Sequence, residues 1–408
     1  MISVDMTEDG DKRTRVALLE GGKLMEIYYG HPSHEKLVGN IYRGRIEDVV
    51  PGMGSAFVDV GERKSLFLSL NELNDGMLEE KGFKPWQAGI PVSKLLRQGQ
   101  MITVQVRRDG IGTKNPQGTT KISIPGRFWV YLPTEDRLGV SRRVESVRDQ
   151  RRIRRLARSL KKPGEGMIAR TAAQWATDED LERDYRLLVE SWDRVGAAAK
   201  TATSARLLYK AMGLVQAVLR DWMGPDIAEV VVDSPFFYEK IHSFLEYMQM
   251  GAHKEQIRLH KGPEPLFAKH DIDRQIQDSL SRRVPLAGGG SIVIDETEAL
   301  IAIDVNTGGD VRHRNQAAAI LNTNLEAATE IARQLRLRQI SGIIVVDFVD
   351  MDDPQHVQQI IDKVREELKK DRVSADFVDM TGLGLVEITR KRRGESLSDM
   401  LENAKFDA

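Results

Sequence analysis

Two apolar runs that end in aspartate constrain this chain more than any other feature. GGGSIVIDETEALIAIDVN reads as a β-hairpin with its turn near Glu296 and Thr297, and Asp304 closes its second arm. Helical periodicity follows over about 314–338, and then the continuous apolar strand SGIIVVDFVDM, in which Asp347 ends the buried run. A second helix, about 354–370, and a last strand, LGLVEIT, complete the segment. Strand–helix–strand–helix–strand predicts a largely parallel sheet with right-handed crossovers. If the Asp-ended strands are neighbours, both carboxylates emerge at the C-terminal edge, where α/β sheets place ligands. Adjacent strands lie about 4.8 Å apart, so two carboxylates there can share one small cation. Asn306, two residues past Asp304, points to the same face, where its amide can orient a water or a phosphate oxygen. Magnesium suits such a site because it accepts one or two carboxylates and keeps several waters. Such an ion can activate water and stabilise an in-line displacement at phosphorus.

Taken singly, each aspartate reads more readily as a strand-end acid capping the next turn. Two of them across one βαβ unit, with Asn306 beside the first and Gly308-Gly309 opening the site, favour the metal reading. Asp350 reads as a turn or cap residue, and Asp295, Glu296 and Glu298 as solvated residues of a hairpin tip.

Upstream the periods are shorter. TRVALLEGGKLMEIYY alternates around Gly21-Gly22 as a hairpin. GNIYRGRIEDVV, GSAFVDVG, SLFLSL and GQMITVQVRRD are short strands separated by turn signals, a spacing that predicts a small barrel of the OB type. The loop at 74–95 reads as an insertion in that barrel, and GIGTKNPQGTTKISIPG as a glycine-rich loop leading into a strand. FWVYL, a basic helix and the strand GMIARTA follow; helical periodicity then runs from about 177 to 222, before the buried strand IAEVVVDS and the helix FFYEKIHSFLEYM.

Barrels of this type bind single strands by stacking bases on aromatic rings while basic groups follow the backbone. Phe57, Phe67 and Tyr42 are the candidate rings, with Arg43 and Arg45 close to Tyr42 and Lys114 in the glycine-rich loop as a phosphate contact. Core packing is the competing role for Phe57 or Phe67 taken alone. Arg170-Thr171 forms a second small constellation, a planar fork and a hydroxyl that suit phosphate.

Charge sharpens this reading. Sixty Lys and Arg against 61 Asp and Glu give a net charge of −1, but the average conceals a local excess. Residues 137–170 hold twelve lysines and arginines and three acids, a local charge of +9. The core of that stretch, RDQRRIRRLARSLKK, is a helix with Ile153, Leu156 and Leu160 on one face and arginines around the rest. An anionic polymer is the natural partner of so one-sided a field; a solvated surface is the alternative.

Composition bounds the rest. A length of 408 residues predicts about two to four domains, and 41% hydrophobic against 30% charged residues predicts a soluble globular chain. No cysteine is present, which excludes a disulfide framework, Cys-ligated zinc and a thiol nucleophile. No apolar stretch of about 18 residues occurs, and MISVDMTEDGDKR is no signal peptide, so a cytoplasmic location is expected.

The stretches GNIYRGRI, PGMGSAFVDVG, GGGSIVIDETEALIAIDVNTG, NTNLEAATEIARQLRLRQISGIIVVDFVDM and LGLVEITRKR resemble the bacterial ribonuclease E/ribonuclease G family, from about residue 14 to about 395. The resemblance implies an α/β multidomain chain. An RNase H-like fold (1–36 and 215–280) is interrupted by an OB-type RNA-binding barrel (37–122) and a 5′-end sensor region (123–214). A DNase I-like catalytic subdomain (281–400) and a tail (401–408) follow. It implies a Mg²⁺-dependent (alternatively Mn²⁺-dependent) endoribonuclease that cuts single-stranded, A/U-rich RNA in RNA processing and decay. The products would carry 5′-phosphate and 3′-hydroxyl ends. By motif, Asp304 and Asp347 match the family's magnesium carboxylates and Asn306 the asparagine beside them. Phe57, Phe67 and Lys114 match barrel residues that hold RNA; Gly126, Val130, Arg170 and Thr171 match a 5′-monophosphate pocket.

Two departures shape the expectations. The family's cysteine pair after TRKR is missing, so no zinc, no zinc-linked tetramer and no small C-terminal domain are expected, and a homo-oligomer would be a dimer. Ser374 stands where a basic residue near the 5′ pocket is expected, which predicts a weaker 5′-phosphate preference. Single-stranded RNA is the expected partner. The rival readings are a non-catalytic single-stranded RNA-binding protein and a magnesium phosphatase or DNA nuclease built on the same sheet edge.

Overall fold

The computed structural model describes every residue except 1, 7–13, 31–36, 85–86, 88, 111–113, 225, 309–315, 393–395 and 407–408. The chain divides into two compact units: Met1–Pro32, Gly224–Ser243 and Gly251–Ala408 form one, and Ser33–Met223 with Phe244–Met250 the other.

In the second of these, the strands Ile41–Val50, Ser55–Asp59, Leu66–Ser69 and Met101–Arg108 belong to one sheet. The fifth member, Gln117–Thr119, closes it into an OB-like barrel. It runs parallel to Leu66–Ser69 and antiparallel to Met101–Arg108, which pairs back onto Ile41–Val50. Three residues are too few to show a period of two, so the sequence displays only a loop there. On Ser55–Asp59 alternation is visible: Ala56 and Val58 face the barrel interior, while Phe57 between them is half-buried on the outside. Gly44 points inward, and a Cβ there would lie 2.5 Å from Val58 Cγ1, so only glycine lets the facing strands close.

The same unit carries a four-stranded sheet in the order Leu138–Val140, Gly166–Ala169, Trp129–Leu132, Ile124–Pro125. The basic helix Val147–Leu160, capped by Ser146 accepting from Asp149 N, buries Ile153 and Ala157 in the core of this region. The long helix Asp178–Thr201, opened by a capping box of Thr177 and Asp180, buries Leu181, Tyr185, Leu188 and Val195 there. Helix dominates 177–222 as expected, but a strand interrupts it. Residues Arg206–Tyr209 form a strand paired with Ile41–Arg43, an edge more than 160 residues earlier in the chain, and a shorter helix, Leu214–Trp222, follows.

The other unit holds two sheets. One has the order Ile257–Leu259, Val230–Val232, Ile2–Met6, Thr14–Glu20, Lys23–Gly30. The hairpin at its end turns on Gly21 and Gly22, both at positive φ (+56° and +81°), as a two-residue hairpin loop requires. The second sheet has the order Arg283–Pro285, Ser291–Glu296, Ile301–Asn306, Gly342–Asp347, Val386–Arg390, Ala375–Met380.

Here the expectation of a largely parallel sheet is corrected. Ile301–Asn306 and Gly342–Asp347 are parallel; every other pairing among the described residues of this sheet is antiparallel. The cause is a hairpin hidden in ADFVDMTGLGLVEIT. The chain lays down Ala375–Met380 at the edge, turns over Thr381–Gly384 with Gly384 at φ +83°, and returns as Val386–Arg390 against Gly342–Asp347.

Helices Gln316–Leu337 and Pro354–Lys369 join these strands. Ala327, Ala328, Ile331 and Leu335 from the first and Ile360, Val364 and Leu368 from the second pack with Ile303, Val305, Ile344 and Val346. The spacing of three and four residues is what puts each set on one helix face, and each fully buried aliphatic chain contributes about 1.5–3 kcal/mol. The second helix starts on Asp353, whose side chain accepts from Gln355 N at 2.8 Å, with Pro354 in the first turn. The far end of the first helix is tied to the Lys23–Gly30 strand. Arg336, buried, donates to Glu26 at 3.0 Å, and Arg333 donates to the Leu24 carbonyl at 2.7 Å. None of the described helices is long and apolar enough to cross a membrane.

Candidate active site

Asp304 and Asp347 are direct register partners on the parallel pair. Ile303 and Val305 on one strand, and Ile344 and Val346 on the other, point into the core, so alternation turns both aspartates to the opposite, exposed face. Asn306 shares that face and donates its Nδ2 to Asp304 Oδ2 at 2.7 Å. The bond orients the amide so that its nitrogen is committed to the carboxylate.

Two further side chains set the backbone here, and sequence reasoning missed them. Asn324, fully buried in the long helix, donates to the Val349 carbonyl at 2.8 Å and accepts from Val349 N at 3.1 Å. It therefore clamps the chain two residues past Asp347. Glu326 accepts from Gly288 N at 2.8 Å, which fastens the 288–290 loop to the same helix. That loop lies against the chain leaving Asn306: a Cβ on Gly290 would come 2.8 Å from the Asn306 carbonyl, and one on Gly308 2.4 Å from the Gly289 carbonyl. Gly309 lies outside the described residues. Glu387, on the face shared by Asp347 and facing Val345, adds a diagonal acid. Among the described residues no group of three His, Cys, Asp or Glu has metal-binding geometry. The donor set at the strand ends is two carboxylates and an amide, all hard groups, which fits Mg²⁺ or Mn²⁺ and not a soft ion.

A sequence model of the Ribonuclease E/G family matches residues 123–393. Ribonuclease G of Salmonella typhimurium (strain SL1344) is 39% identical over 392 residues, covering 96% of this chain and 80% of that protein. The chain belongs to the ribonuclease E/G family. Ribonuclease G of Escherichia coli (strain K12) is 38% identical over the same length. Ribonuclease E of Haemophilus influenzae (strain ATCC 51907 / DSM 11121 / KW20 / Rd) is 35% identical over 388 residues, which are 94% of this chain and 41% of that longer protein.

The RNA-contact and 5′-phosphate residues named from the sequence of this ribonuclease E/G chain lie in the barrel unit. Phe57 and Phe67 face each other across neighbouring strands, edge to face at 5.9 Å and both half-buried. Lys114 is exposed beside them: Phe67 N donates to the Pro116 carbonyl at 2.8 Å, and Asn115 Nδ2 to the Ser65 carbonyl at 2.8 Å, so its loop is laced to that strand. Tyr42 is a correction. It is 1% exposed inside the barrel, with its hydroxyl bonded to Asn40 and Glu62, and no base can reach its ring. Arg43 is half-buried, with its Nε enclosed and without a partner among the described residues. It lies five residues along the strand, roughly 17 Å of chain, from Asp48, the register partner of Phe57.

Gly126, Val130, Arg170 and Thr171 do gather on the four-stranded sheet. Arg170 donates Nη1 to the Gly126 carbonyl at 2.8 Å and pairs with Asp221 at 2.7 Å. Thr171 Oγ1 meets Ser141 Oγ at 3.0 Å, and Val130 lies between Pro125 and Ile168 in register. The keystone is Asp184, buried and accepting from the backbone N–H groups of Arg127, Phe128 and Trp129 at 3.1, 2.8 and 3.0 Å. Burial pushes its carboxyl above the ordinary value despite those bonds and the nearby charge of Arg170. A Cβ on Gly126 would meet Asp184 Oδ2 at 2.6 Å, which explains the glycine. At Asp221 burial also pushes upward, but Arg220 and then Arg170 overcome it and hold the carboxyl below its usual range. Ser374, in the other unit, donates to Asp376 at 3.2 Å.

Proposed function

We propose that this chain is a divalent-metal-dependent endoribonuclease cutting single-stranded RNA. The observation that carries the reading is the register of Asp304 on Asp347 in a member of a family whose relatives are named ribonucleases. Asp304 and Asp347 supply the anionic oxygens for Mg²⁺ or Mn²⁺, and Asn306, bonded to Asp304, steadies that carboxylate and offers its carbonyl oxygen to a water or a phosphate group. The ion, when bound, activates water and stabilises charge at phosphorus. In the reaction the water oxygen bonds to phosphorus, the P–O3′ bond breaks and the 3′ oxygen takes a proton, leaving 5′-phosphate and 3′-hydroxyl ends.

Phe57, Phe67 and Lys114 serve as the strand's stacking and phosphate contacts. A preference for A/U-rich strands belongs to the same reading, as the family resemblance implies. Gly126, Val130, Arg170 and Thr171 form the 5′-phosphate pocket. The domain limits given above, the RNase H-like and DNase I-like assignments and a cytosolic role in RNA processing belong to the same proposal. The direct test incubates a labelled A/U-rich RNA oligonucleotide with the protein and Mg²⁺, then with EDTA in excess. Endonucleolytic products that vanish with EDTA are expected; binding without metal-dependent cutting would leave an RNA-binding protein, and equal cutting of the DNA analogue would replace the substrate class.

The basic helix makes a separate prediction. Arg148, Arg151, Arg155 and Arg158 are exposed and spaced three, four and three apart, so they form one stripe. Arg152 is not part of it, being bonded to Asp178 and to backbone carbonyls of the 173–176 segment. Reversing the four stripe residues to glutamate should weaken oligonucleotide binding in EDTA and reduce the slope of log affinity against log salt by about 2–3, at roughly 0.7 per lost phosphate contact. An unchanged slope would make the stripe a solvated surface.

A further inference from the structure

The barrel unit contains a cavity of about 690 Å³ that none of the roles above uses. Four cations line it, Arg107, Lys121, Arg137 and Arg220, against Glu72 and Glu135, a net lining charge of +2. Two of the four are already committed. Arg107 is paired with Glu72; Arg220, buried, donates Nε to Asp221 at 2.7 Å and Nη1 to the Pro125 carbonyl at 3.4 Å. Lys121, half-buried, and Arg137, exposed, have neither an ion pair nor a side-chain hydrogen bond among the described residues. The same cavity is lined by one aromatic ring, Tyr209.

A pocket of this volume suits a small organic ligand, for which about 300–1,000 Å³ is usual. Its charge calls for an anion, and the uncommitted lysine and arginine give that anion a point charge and a planar fork. An aromatic face in the same cavity suits a base. We infer that this cavity binds a nucleoside monophosphate unit, with the phosphate on Lys121 and Arg137 and the base against Tyr209. The unit is either one residue of an RNA strand or a free nucleotide. In its strand form the inference rests on the RNA-binding reading above; in its free form it does not.

The site is also wired to the neighbouring pocket. Arg220 in its wall and Arg170 both donate to the same oxygen, Asp221 Oδ1, at 2.7 Å. A phosphate that drew Arg220 toward the cavity would change the grip of Asp221 on Arg170.

The test uses the full chain in EDTA, so that it is independent of cleavage. Three ligands are titrated: a 5′-hydroxyl A/U oligonucleotide, AMP alone, and inorganic phosphate alone. The double variant Lys121→Glu/Arg137→Glu is compared with Lys94→Glu/Arg97→Glu, an equal charge change at exposed positions outside the cavity. An oligonucleotide affinity at least about tenfold lower in the cavity variant, and within about twofold of wild type in the control, is expected and identifies a strand residue. Loss of AMP binding with the oligonucleotide unchanged supports the site and identifies a free nucleotide. Unchanged binding of both ligands, an equal loss in the control, or inorganic phosphate binding as tightly as AMP overturns the inference. Failure here, with metal-dependent cutting intact, leaves the proposed nuclease function standing.

Discussion

Replacing Asp304 or Asp347 by asparagine should lower RNA cleavage at least about a thousandfold, because each exchange removes one of two charges available to hold a hard divalent ion. The rest of the molecule should scarcely register the change. Both side chains are exposed, the replacement is nearly isosteric, and the amide at 304 can still accept the bond from Asn306. Melting temperature and oligonucleotide affinity in EDTA are therefore expected to stay close to wild type, while Mn²⁺ binding, followed by electron paramagnetic resonance, weakens sharply. Wild-type turnover in either variant would remove the metal assignment, and lost turnover with full Mn²⁺ affinity would mean that these residues act in some other way.

The second large effect is expected at the barrel. A base stacked on an aromatic ring is worth about 1–3 kcal/mol, so Phe57→Ala and Phe67→Ala should each weaken single-strand binding by about 5- to 150-fold. The two losses should not simply add, since the rings also contact each other edge to face. Tyr42→Phe is the internal contrast. It removes a buried hydroxyl bonded to Asn40 and Glu62, which should cost about 1 kcal/mol of stability and leave oligonucleotide affinity unchanged. Anisotropy titrations in EDTA, paired with thermal melts, separate the two kinds of effect. Phenylalanine variants that bind normally, or a Tyr42 variant that does not, would reverse the assignment of which rings face the strand.

Much of this was legible along the chain. Tyr42 could have been placed correctly, because it shares the parity of Gly44 and Ile46 and not that of Arg43 and Arg45. Asp184 and Asn324 were also visible in principle. Each falls on the buried face of its helix, Asp184 three residues from Leu181 and four from Leu188, Asn324 three from Ala327, and a polar side chain on such a face must find a partner. What no pattern discloses is the partner. Asp184 meets backbone groups 55–57 positions away, and Asn324 meets Val349.

The sequence by itself determined the local elements: the hairpins turning at Gly21-Gly22 and near Glu296-Thr297, the long barrel strands, the helix between Asp304 and Asp347 and the one after it, and the emergence of both aspartates at strand ends. Those follow from periodicity and turn chemistry, which act over a few residues. Tertiary structure alone decided the strand neighbours. It closed the barrel with Gln117–Thr119, paired Arg206–Tyr209 with Ile41–Val50, and inserted Val386–Arg390 against Gly342–Asp347. A short strand carries too little period of its own, and its hydrogen-bonding edge is offered by a segment far away in the chain, so its place is settled only when that edge exists.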